Sequence, residues 1–181
     1  RLKAALNRWL PKSVAVLDCK EVSLDFHARY SCVSKEYIYK IWNSEVRNPF
    51  LDGYALHYRY KIDEEMLNKA SQAYVGSHDF TSFCTIDNRE KGDMIRNVKN
   101  FSVARDGNLV TMRVEADGFL YNMVRIMVGT LLRVQQGKIP ADGIAEIIEK
   151  KDRKFAGPTA QACGLYLNKV NYNLSIEYLG G

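Results

Sequence analysis

Cysteine is scarce in this sequence, and the four present (Cys19, Cys32, Cys84 and Cys163) form no C-x-x-C pair. They offer neither a zinc ribbon nor a disulfide framework, so a reducing cytoplasm is the expected home. Histidine is scarcer still, and His27, His57 and His78 lack metal-ligand spacing. Glycine-rich phosphate loops are missing, as are repeats, low-complexity tracts and linkers. No long hydrophobic run occurs either. The most apolar stretch, Phe119 to Val134, is interrupted by Asn122, Arg125 and Arg133 and makes a poor membrane span. The opening residues do not read as a signal peptide.

What is present suits one globular domain spanning residues 1–181. The chain is 46% hydrophobic and 26% charged, enough for a sizeable core. Lys and Arg number 26 against 21 Asp and Glu, a net charge of +5. That excess permits a polyanionic partner without requiring one. Leu2, Ala5, Leu6 and Trp9 already recur at helical spacing with no capping residue before them. The expectation is therefore a chain that begins inside a helix and is part of a longer protein.

Ser13 to Val22 reads as a strand through its valines, and Lys35 to Trp42 as a second, with Tyr37, Tyr39 and Ile41 sharing one face. Asp63 caps a predicted helix that Gly76 ends. Arg96 to Ala104 and Leu109 to Ala116 pattern as a hairpin turned by Asp106-Gly107. Phe119 to Gln136 is a predicted helix, apolar around nearly its whole circumference and so buried. A short helix follows, with Pro140 near its first turn and Ile144, Ile147 and Ile148 inward, and Gly164 to Tyr172 closes as a strand. The pattern predicts an α+β fold, a largely antiparallel sheet with helices packed on one face.

Arg125 is the strongest anomaly. It sits among Met123, Val124, Ile126 and Met127, and a guanidinium cannot shed its proton to escape burial. With Tyr121, Asn122, Gly129 and Arg133 it makes a narrow polar or small-residue stripe. Two readings stand: a structural ion pair in the core, or a cleft face aimed at a phosphate or carboxylate. Phe26, His27, Ala28, Arg29 and Tyr30, followed by the Tyr37–Tyr39 strand, interleave cations with aromatics as single-stranded RNA binders do. Plain cross-strand packing explains strand aromatics equally well. Asp87, Asn88, Arg89, Glu90 and Lys91 form a polar run without apolar period, hence a solvated loop.

Phe26-His27-Ala28-Arg29-Tyr30-Ser31, Lys35 to Tyr39, Asp79-Phe80-Thr81-Ser82-Phe83 and Arg96-Asn97-Val98 occur in one order, then Ala116 to Arg125 and Val128-Gly129-Thr130-Leu131. Lys151-Asp152-Arg153 and Gly164-Leu165-Tyr166-Leu167 complete the set. In this succession, through nearly the whole chain to about Tyr172, the sequence resembles the tRNA pseudouridine synthase A family. The resemblance implies an isomerase that detaches uracil from ribose, rotates it and rejoins it through carbon, without cofactor or metal. It implies uridines in the anticodon arm of tRNA (positions 38–40) as targets, and a homodimer. By the same resemblance Tyr37 stacks on the target base and Arg125 partners a nucleophilic aspartate. Phe26 to Tyr30 and Asp87 to Lys91 contact tRNA. The family's Gly-Arg-Thr-Asp-Ala-Gly segment, which carries that aspartate, does not occur here, and Asp117 is no substitute. The expectation is that these residues alone are inactive. A non-catalytic RNA-binding module and a dimerising fragment are the alternatives.

Overall fold

The structure, a computed structural model, describes residues 2–85 and 92–173. They divide into two compact units, 1–31 and 32–181.

In the first unit, α1 (Leu2–Trp9) buries none of its residues. The strand expected over residues 13–22 does not form. Val14 and Val22 are exposed, and β-branching alone supplies no second backbone to pair with. Instead the Asn7 amide stands in for a strand at one residue. It donates to the Val16 carbonyl (2.8 Å) and accepts from the Val16 N–H (2.7 Å).

The second unit is built on a mostly antiparallel sheet. Its strands are β1 (Cys32–Asn43), β2 (Leu56–Tyr58), β3 (Gly76–Asp79), β4 (Ile95–Asp106), β5 (Leu109–Ala116) and β6 (Leu165–Tyr172). They run in the order β2-β1-β5-β4-β3, with β6 also paired to β1. β1 therefore has β5 along one edge, while β6 and the short parallel β2 divide the other. The hairpin expected between β4 and β5 forms, with Gly107 supplying the positive φ (55°) at its turn.

One sheet face is apolar. Tyr39 and Ile41 of β1 lie opposite Met112 and Val110 of β5, beside Phe101 and Val103 of β4, all buried. Against this face pack α2 (Glu64–Ser71) and α3 (Met123–Gln135), whose Leu67, Ile126, Met127 and Leu131 join the same core. Each such side chain contributes about 1.5–3 kcal/mol by leaving water. The other face carries polar pairs: Arg113 with Glu36 (2.6 Å), and the Ser34 hydroxyl donating to Glu115 (2.6 Å). The α+β architecture with helices on one face is thus the one expected.

Several boundaries move, each for a local reason. Asp63 does cap α2, accepting from the Met66 N–H (2.9 Å). The helix stops at Ser71, however, and Gly76 (φ 115°) starts β3 instead of ending α2. α3 begins at Met123, four residues later than expected, because Asn122 adopts the left-handed conformation (φ 61°). Pro140 lies in the turn before α4 (Ile144–Lys150), where its carbonyl accepts from Gly143, and Ile144, Ile147 and Ile148 point inward as expected.

Candidate active site

A cleft of about 530 Å³ opens where β1, the β5–α3 connection and the start of β6 converge. Tyr37, Phe119, Tyr121, Asn122, Arg125 and Leu165 are among its lining residues. Tyr37 comes from the middle of β1, held by register opposite Val114 on β5 and Leu167 on β6. Its ring meets Phe119 edge to face, centroids 5.0 Å apart at 82°. Burial raises the Tyr37 phenol above its usual pKa, so the hydroxyl stays neutral.

Arg125 is the third residue of α3, in its first turn and half-buried; the later start of the helix moves it from the middle of the expected Phe119–Gln136 span. Nε donates to the Ala160 carbonyl (2.7 Å) and Nη1 to Asn122 Oδ1 (3.1 Å). Asn122 is itself fixed, by its left-handed backbone and by Nδ2 donating to the Thr85 hydroxyl (3.2 Å). Both acceptors are neutral. Among the described residues no carboxylate pairs with this guanidinium, and its Nη2 makes no hydrogen bond. Arg125 thus lines the cleft and makes no ion pair among the described residues.

The stripe expected from Tyr121 to Arg133 begins ahead of α3 and has three separate employments. Tyr121, Asn122 and Arg125 line the cleft. Gly129 seats the segment 156–161, since an added Cβ there would overlap the Pro158 carbonyl oxygen. Arg133 hydrogen-bonds Gln136 at the far end (3.2 Å) and does not line the cleft. Behind the wall, Tyr39 is fully buried and donates its hydroxyl to the Gln161 carbonyl (2.7 Å). Burial, and secondarily Cys163, pushes the Tyr39 phenol far up, against a smaller opposing pull from Arg125, so it remains a donor. The segment 156–161 was not singled out in the sequence. Its available signal was the small pair Gly129-Thr130 on an otherwise bulky helix.

The remaining sequence candidates lie elsewhere. Phe26 to Tyr30 forms a turn in the first unit, where His27 Nδ1 accepts from the N–H groups of Arg29 (3.1 Å) and Tyr30 (3.3 Å). The His27 and Tyr30 rings lie 4.4 Å apart, with the Arg29 guanidinium 5.6 Å over Tyr30. Asp87, Asn88, Arg89, Glu90 and Lys91 lie outside the described residues. Among the described residues no His, Cys, Asp or Glu cluster could hold a metal ion, and no helix is long and apolar enough to cross a membrane.

An α+β protein with a mostly antiparallel sheet thus brings an aromatic ring and a guanidinium, without a carboxylate partner among the described residues, into one cleft. Comparison with known proteins sharpens that class. A sequence model described as tRNA pseudouridine synthase matches residues 70–173. A tRNA pseudouridine synthase A of Acetivibrio thermocellus is 43% identical over 172 residues, which cover 95% of this chain and 70% of that one. One from a Geobacillus species is 44% identical over 171 residues, covering 94% and 68%. A tRNA pseudouridine synthase A 2 of Bacillus anthracis is 40% identical, covering 95% and 70%. The chain belongs to the tRNA pseudouridine synthase A family, a family of isomerases.

Proposed function

We propose that the cleft receives a uridine extruded from the anticodon arm of tRNA, positions 38–40, and that Tyr37 and Arg125 serve its conversion to pseudouridine. Taking a base out of its stack costs a few kcal/mol by order of magnitude, and the Tyr37 ring offsets part of that by stacking. The reaction is an isomerisation: the nitrogen–ribose bond breaks, the base rotates, and a carbon–carbon bond replaces it. A nucleophilic carboxylate must be ionised to take part, and a neighbouring guanidinium holds it so.

The observation that carries this reading is the state of Arg125: tethered by two neutral acceptors, with no carboxylate partner among the described residues. These 181 residues contain no Gly-Arg-Thr-Asp-Ala-Gly segment. On this reading they supply the cleft wall and the guanidinium, and by themselves form no pseudouridine. The turn of Phe26 to Tyr30 and the residues Asp87 to Lys91 take tRNA contacts, and the enzyme works as a cytoplasmic homodimer.

Arg125→Met is the informative change because it keeps the apolar stem and deletes the charge. In the enzyme as encoded, turnover should collapse while tRNA affinity and melting temperature change little. Preserved turnover would overturn the role given to Arg125. Incubating the 181-residue chain with unmodified tRNA tests the other half, and pseudouridine above background would refute it.

A further inference from the structure

Residues 156–161 run beside α3 in repeated contact with it. Gly157 donates its N–H to the Thr130 hydroxyl (2.9 Å), and that hydroxyl donates to the Ile126 carbonyl (2.8 Å). Pro158 lies on Gly129, where no Cβ could fit. Ala160 then bonds Arg125 twice: its N–H donates to the Arg125 carbonyl (3.0 Å), and its own carbonyl accepts from Arg125 Nε (2.7 Å). The next carbonyl, of Gln161, accepts the Tyr39 hydroxyl (2.7 Å). The Tyr39 ring lies against Gly164, where an added Cβ would come within 2.8 Å of two ring carbons. Thr130 and Tyr39 are both fully buried.

We propose that Tyr39 and Thr130 are positioning residues for the reaction: they pin the 156–161 segment on both sides of Ala160, so that its carbonyl aims the Arg125 guanidinium into the cleft. This rests on the reading of Arg125 given above. An arginine on a free stem samples many rotamers, and a group off its productive geometry by about 1 Å costs on the order of 100-fold in rate. Two pinned carbonyls in succession, at Ala160 and Gln161, remove that freedom. The competing account is that the Tyr39 hydroxyl only satisfies a buried carbonyl, which predicts lost stability and no selective effect on the chemical step.

The test uses the enzyme as encoded, tRNA in single-turnover reactions, and Tyr39→Phe, which keeps the ring and removes the hydroxyl. The rate of pseudouridine formation should fall on the order of tenfold, with tRNA Kd changed by less than about twofold. In an Arg125→Lys background the same substitution should cost almost nothing, because lysine has no Nε for Ala160 to aim. A wild-type rate for Tyr39→Phe, or a full loss that persists in the Arg125→Lys background, would overturn the proposal. Thr130→Ala should slow the reaction likewise and Thr130→Ser restore it. If Tyr39→Phe does not fold, equal rates for those two variants decide against the proposal. Unimpaired turnover of Arg125→Met would instead remove the reading beneath it, so the two failures are distinguishable.

Discussion

Tyr37 and Phe119 meet as a T, 5.0 Å between centroids and 82° between planes. A T-shaped contact leaves at least one face of the Tyr37 ring uncovered by Phe119, and it fixes the ring's tilt. If a base stacks there, Tyr37→Phe should keep most of the rate. Tyr37→Ala should lose about 1–3 kcal/mol of stabilisation, roughly 5- to 150-fold. Steady-state kinetics on tRNA decide this. Equal activity of wild type and Tyr37→Ala would return the residue to plain packing.

At Asn122 stability and activity should respond differently to one substitution. It is a non-glycine residue in the left-handed region, and its side chain accepts from Arg125 Nη1 (3.1 Å). Asn122→Gly removes a conformational penalty of about 1 kcal/mol and the amide together. We expect an unchanged or slightly raised melting temperature with reduced turnover. A variant as active as wild type would show that the amide does not help to hold the guanidinium.

Gly129→Ala places a methyl group on the Pro158 carbonyl oxygen. Backbone cannot rotate aside as a side chain would, so the segment 156–161 must lift. The expected loss is about 1–3 kcal/mol, seen as a lower urea midpoint at constant m. Faster amide exchange at Gly157, whose N–H bonds Thr130, should accompany it. An unshifted midpoint would contradict the close packing.

Asp79 gives the fold a pH dependence of known sign. Burial would raise its carboxyl, but the Thr81 hydroxyl and N–H and the Lys151 ammonium (3.1 Å) outweigh that and hold it below the usual range. A carboxyl depressed in the folded state contributes stability that is fully present above its unfolded pKa of about 3.9. That stability is lost as pH falls through the folded value. Asp79→Asn should therefore destabilise at pH 7, with the gap to wild type closing below about pH 4. A gap equally wide at pH 7 and pH 3 would refute the assignment.

Much of this was legible beforehand, and the exceptions share a cause. The β4–β5 hairpin was visible because alternation and an Asp-Gly turn are local signals. α3 was visible because its apolar residues outnumber what a half-exposed helix could carry. Arg125 stood out against that background, and Tyr37 through its strand. β2 and β3 were missed: Leu-His-Tyr and Gly-Ser-His-Asp have no pattern of their own and become strands only by pairing with β1 and β4. Residues 13–22 erred the other way, with strand-like valines and no partner backbone. The segment 156–161 was hidden because its bonds are made by backbone groups, which every residue type possesses.

The two-sided pairing of β1 also sets a schedule. Tyr39 pairs with Met112 on one side and with Leu165 on the other. Both partners are distant in sequence, so sheet closure needs long loops and belongs to the slower, high-contact-order class of folding. During synthesis at about 5–20 residues per second, the strand carrying Tyr37 waits on the order of ten seconds for β6 to emerge. Until then it offers an unpaired edge rich in tyrosine and isoleucine, an invitation to mispairing. The strand that builds the cleft is thus the one a nascent chain has most reason to shelter, and chaperone dependence of newly made protein is where that burden would register.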